Sequence, residues 1–340
     1  MNNKYILEKL CNGENLTYDE AYEMMDMMMK GRLNPSFVAA LLTALKIKGE
    51  TVNEISACAT AMRDNAITLD DEDDALDIVG TGGDNAKTFN ISTISSFIIA
   101  AAGIKVAKHG NRSVSSLCGS ADCFEKLGVN IKTTKDEAKE ILDKINICFL
   151  FAQSYHSSMK NVGPIRKDIG VRTIFNILGP LTNPAKVKNI LLGVYDEQLL
   201  DVMANVLNKM GVKKAVVVHG DDGLDEITLT TTTKMTILKN GQITHFTFDP
   251  HAYGYSLCKS SDLVGGSPDE NKDIALGILK GEIKGPKRDC VVLNAGTAIY
   301  LMRDELSLEE SFKLAEEIID SKKAYEKLLE YVEVSNRKWF

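Results

Sequence analysis

The chain is poor in several things that would have narrowed its class at once. It has one tryptophan, seven prolines and only 6% aromatic residues. No Cys-x-x-Cys pair occurs among its seven cysteines, so neither a redox dithiol nor a zinc site is signalled. No apolar run approaches the ~18 residues of a membrane span, and MNNKYILEKLCNGENL at the N-terminus has neither the basic start nor the apolar stretch of a secretory leader. A reducing, cytoplasmic setting is therefore expected, without membrane attachment. Basic charge is also short: 40 Lys and Arg face 47 Asp and Glu, a net charge of −7. Binders of the phosphate backbone usually carry a basic excess, so no nucleic-acid partner is expected. Any anionic small molecule must be held by local donors against an unfavourable overall charge.

What is present is a globular composition, 44% hydrophobic and 26% charged over 340 residues, which excludes disorder, collagen and coiled coil. The length suggests two domains or one large one. The first part, residues 1–70, reads as helices. Thr17 with Glu20 and Thr51 with Glu54 form capping-box patterns, and Asn34-Pro35 opens a helix between them. The methionines at 24–29 read as core. Asp70-Asp-Glu-Asp-Asp74 reads as a solvated linker.

From residue 75 to 340 short apolar runs alternate with helical stretches. Strands are expected at Leu76–Val79, Ile104–Ala107, Ile147–Phe151, Ile190–Val194 and Ala215–Val218. A hairpin is expected about Asn240-Gly241, and the threonines at 230–233 read as a strand edge. The tail returns to helices at Pro268. The fold class is α/β: an N-terminal helical domain, joined in space by the segment around 165–185, plus a larger domain with a mostly parallel central sheet.

Four segments carry chemistry. Gly80-Thr-Gly-Gly83-Asp84 ends the first strand, and Thr88, Asn90, Ile91, Ser92 and Thr93 lead into a helix. Such a turn brings backbone N–H groups and a helix N-terminus to an anion, although glycine-rich turns are also built for structure alone. It lacks the third glycine of a dinucleotide-binding fingerprint, and there is no P-loop. Lys108-His109-Gly110-Asn111-Arg112-Ser113-Val114-Ser115-Ser116 follows the second strand, with Ser120 beginning another helix. Strand C-terminal ends are where α/β sheets bind ligands, and Lys108 and Arg112 suit phosphate oxygens. The third segment joins His156, Arg166 and Pro180. Arg166 either clamps a planar carboxylate or decorates a helix face, and spacing does not decide which. In the fourth, His219-Gly-Asp-Asp-Gly-Leu-Asp225-Glu226 sets four carboxylates past a strand end. That suits magnesium and equally a solvated acidic turn.

Taken together, GTGGD, NIST, KHGNRSVSS, RTIFNILGPLTNP, the Asp225-Glu226 pair and LNAGTAIY at 293–300 resemble the anthranilate phosphoribosyltransferase family of tryptophan biosynthesis, nearly end to end. The resemblance implies a nucleoside phosphorylase/phosphoribosyltransferase-like fold and a homodimer. It implies transfer of phosphoribosyl from 5-phosphoribosyl 1-pyrophosphate to the amine of anthranilate, with release of pyrophosphate. Phosphoribosyl pyrophosphate then lies against Gly80, Gly83, Asp84, Thr88, Asn90 to Thr93, Lys108 to Ser116 and Ser120. Two magnesium ions are reached by Ser92, Asp225 and Glu226. Anthranilate lies among Gly80, His109, Asn111, His156, Arg166 and Pro180. Lys108, Asn111, Arg112 and Arg166 carry the catalytic expectation. The rivals are a pyrimidine nucleoside phosphorylase of the same superfamily and a non-catalytic nucleic-acid-binding relative.

Overall fold

The computed structural model describes residues 3–69, 72–84, 86–113 and 117–337. Four helices come first: α1 (Asn3–Cys11), α2 (Tyr18–Met29), α3 (Pro35–Lys48) and α4 (Val52–Asp64). Both threonine capping boxes form, with Thr17 and Thr51 accepting from the N–H three residues on and each Glu returning a bond. Met24, Met25, Met28 and Met29 are fully enclosed, as their helical spacing requires.

The linker departs from expectation. Asp70 and Asp71 lie outside the described residues, but Glu72 is buried, with its carboxylate 2.9 Å from Lys139, and Asp73 pairs with Lys213 at 2.7 Å. Buried acids persist only when paired. Glu72 and Asp73 are thus pinned down by lysines distant in sequence.

The remainder alternates as β1 (Leu76–Gly80), α5 (Ile91–Ala101), β2 (Val106–Gly110), α6 (Ser120–Lys126), α7 (Lys135–Ile145) and β3 (Ile147–Phe151). The short helices α8 (Ala152–Tyr155), α9 (Gly163–Ile169) and α10 (Phe175–Leu178) follow, then β4 (Asn189–Gly193), α11 (Leu199–Lys209) and β5 (Lys214–Gly220). β6 (Thr233–Lys239) and β7 (Gln242–Phe248) form the hairpin about Asn240-Gly241, both in the left-handed region at φ 49° and 83°. Only Thr233 of the threonine run lies on a strand. Helices α12 (Pro268–Leu279), α13 (Pro286–Met302), α14 (Leu308–Asp320) and α15 (Lys323–Ser335) close the chain.

The sheet runs β3-β2-β1-β4-β5-β6-β7, parallel through β5 and antiparallel in the hairpin. Its central strands alternate between two apolar clusters, as the period of two demands. Leu191, Val216 and Val218 join the cluster built with α5, α7 and α12 to α15. Ile190, Leu192, Ala215 and Val217 join the cluster built with α1 to α4, α9, α10 and α11. The helical bundle and one sheet face thus share a core. All five parallel strands point their C-terminal ends the same way, so the loops after β1, β2, β4 and β5 meet along one edge.

Glu54 is the polar knot of the bundle. It is fully buried and accepts from Leu16 N–H at 2.9 Å, from Thr51 N–H at 2.8 Å and from Lys48 Nζ at 2.8 Å. Glu54→Ala strands the Lys48 charge and two donors, so urea unfolding should show a loss of ~3 kcal/mol, whereas an exposed pair such as Lys313–Glu309 should give under ~1 kcal/mol.

Candidate active site

The first strand empties into Thr81-Gly-Gly-Asp84, and Gly83 sits at φ 83°, a conformation that side chains rarely adopt. The loop is braced from two sides. Gly82 N–H donates to Asp225 Oδ2 at 2.6 Å, while Arg172 donates to Gly83 O with its guanidinium 4.1 Å from the Tyr195 ring centroid. A Cβ at Gly80 would overlap the Asp225 carboxylate, so glycine there lets the acidic turn close against the strand end.

Helix α5 begins just beyond. Its N-cap, Asn90, makes no side-chain cap; its amide donates to Cys118 O at 3.1 Å and accepts from Asn271 at 3.2 Å. Of the first-turn N–H groups, that of Ile91 donates to Phe89 O at 2.8 Å and that of Ser92 faces the Glu226 carboxylate, so this helix start already holds a negative group. Thr88 bridges to Val264, Ile91 is buried in the core, and Thr93 is buried with its hydroxyl unpartnered among the described residues.

Lys108 lies almost wholly out of water. Its ammonium donates to Ile78 O and lies 3.2 Å from Ser92 Oγ. Burial lowers its pKa, while the charges of Asp77 and Glu226 pull it back up. Gly110 approaches Ser120 and Phe149 so closely that a Cβ would meet both, and Ser120 Oγ is 3.3 Å from Asn111 O. Asn111 accepts from Arg112 N–H at 2.8 Å. Arg112 itself is turned to Asp122 at 2.7 Å and Glu125 at 2.9 Å, which raise its pKa, and Ser113 N–H donates to Asp122 at 3.1 Å. Val114, Ser115 and Ser116 lie outside the described residues.

The acidic turn after β5 divides its labour. Asp222 accepts from Thr228 Oγ1 at 2.8 Å and Thr230 Oγ1 at 2.5 Å, and Asp221 accepts from Thr232, so these two acids fold the loop. Asp225 and Glu226 are left at the sheet edge. Burial, then the Asp84 charge, pushes Asp225 up to about 7; burial, then Asp225, pushes Glu226 up to about 8, with Lys108 opposing. Their position is fixed from behind by Asn294 of α13, which accepts from Ile227 N–H at 3.0 Å and donates to Ile227 O at 2.9 Å. Carboxylates held against their own repulsion fit a divalent cation. Among the described residues no three His, Cys, Asp or Glu side chains form a metal cage. The donor set therefore suits a hard ion that takes its other oxygens from water and substrate phosphates, as magnesium does.

Beside this edge lies a neutral aromatic corner. His109 and His156 are both buried with ring centroids 5.2 Å apart. Burial pushes His156 down to about 4 and, with the neighbouring imidazole, lowers His109 well below its ordinary value. Three of their ring nitrogens have no hydrogen-bond partner among the described residues. Pro180 is buried in the turn Gly179–Thr182, which Arg63 of α4 ties down through Leu181 O at 2.7 Å. Arg166 on α9 stands 5.0 Å from the Phe175 ring centroid. Burial alone lowers its pKa, and it pairs with no carboxylate among the described residues, so its guanidinium fork is available to an incoming one.

The fold thus brings Gly80, Asp84, Ser92, Lys108, Asp225 and Glu226 together at the strand ends and sets His109 against His156, while Arg112 is engaged by Asp122 and Glu125 and Arg166 lies on α9 against Phe175. Sequence reasoning passed over Asp77, Arg172, Asn183 and Asn294. A signal existed for Asp77, an acid inside an apolar strand run; Asn183 and Asn294 act through partners more than 60 residues away, beyond any local pattern.

The family described as "Glycosyl transferase family, helical bundle domain" matches residues 4–66, and "Glycosyl transferase family, a/b domain" matches 72–325. The anthranilate phosphoribosyltransferase of Endomicrobium trichonymphae is 53% identical over 328 residues, 96% of this chain and 97% of that protein. That of Ruminiclostridium cellulolyticum is 51% identical over 328 residues, 96% of each chain. Among solved structures, the anthranilate phosphoribosyltransferase of Thermus thermophilus superposes with a TM-score of 0.92 at 40% identity, covering 98% of this chain and 99% of the other. The Saccharomyces cerevisiae enzyme in complex with PRPP and Mg gives 0.89 at 26% identity, covering 98% and 97%. With identity above 50% over nearly the whole length and a shared fold, the chain belongs to the anthranilate phosphoribosyltransferase family.

Proposed function

We propose that the chain transfers the phosphoribosyl group of 5-phosphoribosyl 1-pyrophosphate to the amine of anthranilate, giving N-(5-phosphoribosyl)anthranilate and pyrophosphate in tryptophan biosynthesis. One observation carries the reading: a buried cation, Lys108, and two carboxylates with raised pKa, Asp225 and Glu226, share one crevice at the strand ends. A metal-bound pyrophosphate needs both kinds of partner.

In this reading Gly80, Gly83, Asp84, Thr88, Asn90 to Thr93, Lys108 to Ser113 and Ser120 border the donor; Val114, Ser115 and Ser116, expected there from the sequence, lie outside the described residues. Ser92, Asp225 and Glu226 hold magnesium, which neutralises charge on the leaving pyrophosphate. Asp225 faces Gly82 and Asp84 while Glu226 faces Lys108 and Ser92, which supports two ions. Rupture of the ribosyl bond passes through an oxocarbenium-like state. Lys108 meets the charge that develops on the departing group, with the N-terminal end of the α5 dipole behind it. Arg112 serves there once released from Asp122 and Glu125.

Arg166 takes the anthranilate carboxylate. Neutral His109 and His156, with Asn111 and Pro180, flank the ring. An aryl amine is already neutral at pH 7, so orientation rather than deprotonation supplies most of the rate. Donor contacts come from the α/β part (75–340) and half of the acceptor contacts, His156, Arg166 and Pro180, from 156–180, which packs with the helical part (1–70); closure of one on the other encloses the cleft. A homodimer is supported by the apolar groove of Leu7, Leu10, Ala39, Ala40, Ala44 and Ile47 on α1 and α3, where Ile47 is 82% exposed. The free thiols support a reducing cytoplasm. Among the described residues no helix is long and apolar enough to cross a membrane.

Mixing the protein with anthranilate, phosphoribosyl pyrophosphate and Mg²⁺ should quench anthranilate fluorescence and release pyrophosphate, and EDTA should stop both. No turnover at high enzyme concentration, or turnover only of nucleoside with phosphate, overturns the proposal. Arg166→Ala should raise the anthranilate KM at least ~10-fold, through loss of a charge-assisted pair, and leave the donor KM nearly unchanged. Asp225→Asn with Glu226→Gln should move the Mg²⁺ requirement upward by ~10-fold or more; an unaltered Mg²⁺ titration would remove these residues from the metal site.

A further inference from the structure

The pair β1–β2 differs from the other parallel pairs of the sheet. β1–β4, β2–β3 and β4–β5 each keep five residues in register, whereas β1 and β2 keep one, Leu76 opposite Val106. A parallel ladder continues every second residue. The next rung would join Ile78 N–H to Ala107 O, and His109 N–H to Ile78 O. Each of these backbone groups faces a side chain instead. Ala107 O accepts from Asn183 Nδ2 at 2.8 Å, His109 N–H donates to Asp77 Oδ1 at 3.2 Å, and Ile78 O accepts from Lys108. Ile78 N–H lies against the Asp77 carboxylate. The second Asp77 oxygen accepts from Asn183 Nδ2 at 2.7 Å.

The exchange leaves no buried backbone group of that rung unsatisfied, which is why the strands part there at little cost. The carboxylate is wholly buried. Burial pushes it up to about 6, and Lys108, Asn183 and the two N–H groups hold it down. Asn183 is itself fixed, since its Oδ1 accepts from Ala185 N–H at 2.8 Å, and it directly follows the Gly179–Thr182 turn that carries Pro180.

We propose that Asp77 and Asn183 are positioning residues: together they wedge the β1–β2 ladder open beneath the donor crevice and tie His109 and the Pro180 turn, the two walls of the acceptor route, to one carboxylate. The proposal rests on the transferase reading above for its kinetic arm and on the strand geometry alone for its structural arm. The carboxylate matters because it has two acceptor oxygens to offer. An asparagine has one, so in Asp77→Asn either His109 N–H or Asn183 loses its partner.

The test compares Asp77→Asn with Asn183→Ala. For each variant anthranilate KM, kcat, Tm and amide hydrogen exchange over residues 106–111 are measured. Asp77→Asn should raise anthranilate KM by about 10-fold with kcat changed less than about 3-fold, and should speed exchange over 106–111 by about 10-fold. Asn183→Ala should give the same split, and stands in should Asp77→Asn fail to fold. Wild-type KM and exchange in the variants overturn the proposal; so does a fall in Tm with KM unaltered, which marks a merely structural pair. If the wild-type protein transfers nothing to anthranilate, the functional reading falls by itself, and the exchange rates alone then uphold or overturn the wedge.

Discussion

The site is organised around a cation removed from water. An ammonium costs several kcal/mol to bury even after relaxation, and Lys108 is 2% exposed. It is retained because the strand ends around it carry more negative charge than it can offset: Asp77, Asp225 and Glu226 against one lysine, with Asp84 close to Asp225. Lys108 therefore settles the charge of the protein itself only in part. The remaining excess invites metal, and metal invites phosphate. A chain of net charge −7 thereby gains a place for an anion, through local arrangement and not through overall charge.

The sheet sets where this arrangement falls. Side chains of β4 and β5 alternate between two cores, so the strands are held from both faces and their ends are rigid. Buried α13 grips the backbone at Ile227 through Asn294, which makes the Asp225-Glu226 turn an extension of the core. The acceptor side is built differently, from short helices and a 3₁₀ turn braced by Arg63 and by the bundle. Rigid donor contacts thus face acceptor contacts carried on shorter elements.

Much of this was readable in advance wherever the determinant is local. Capping boxes, the Asn240-Gly241 hairpin and the strand–helix alternation depend on residues a few positions apart, and each formed. Glycine-rich and donor-rich stretches after apolar runs marked the strand ends. What escaped reading depends on partners far along the chain. Glu72 looked solvated until Lys139 came to it; Arg112 read as a free phosphate donor, but Asp122 and Glu125 hold it. Asp77 drew no reading of its own, because its meaning lies in Asn183 and in a ladder rung that is absent. Local patterns name the residue types a site needs, and only the fold says which of them are already engaged.

The hairpin has a consequence of another kind. Among the described residues β7 ends the sheet with no strand beyond it, and six of its seven residues are at least partly exposed. An open edge of this length is a template on which another chain can add a strand. Here it displays Gln242, Thr244, His245 and Thr247, with His245 held 2.7 Å from Asp201 on α11. An intruding strand would find backbone partners and one exposed aromatic, Phe246, set among polar neighbours, so the polar residues around it are what keep this edge from becoming a point of aggregation.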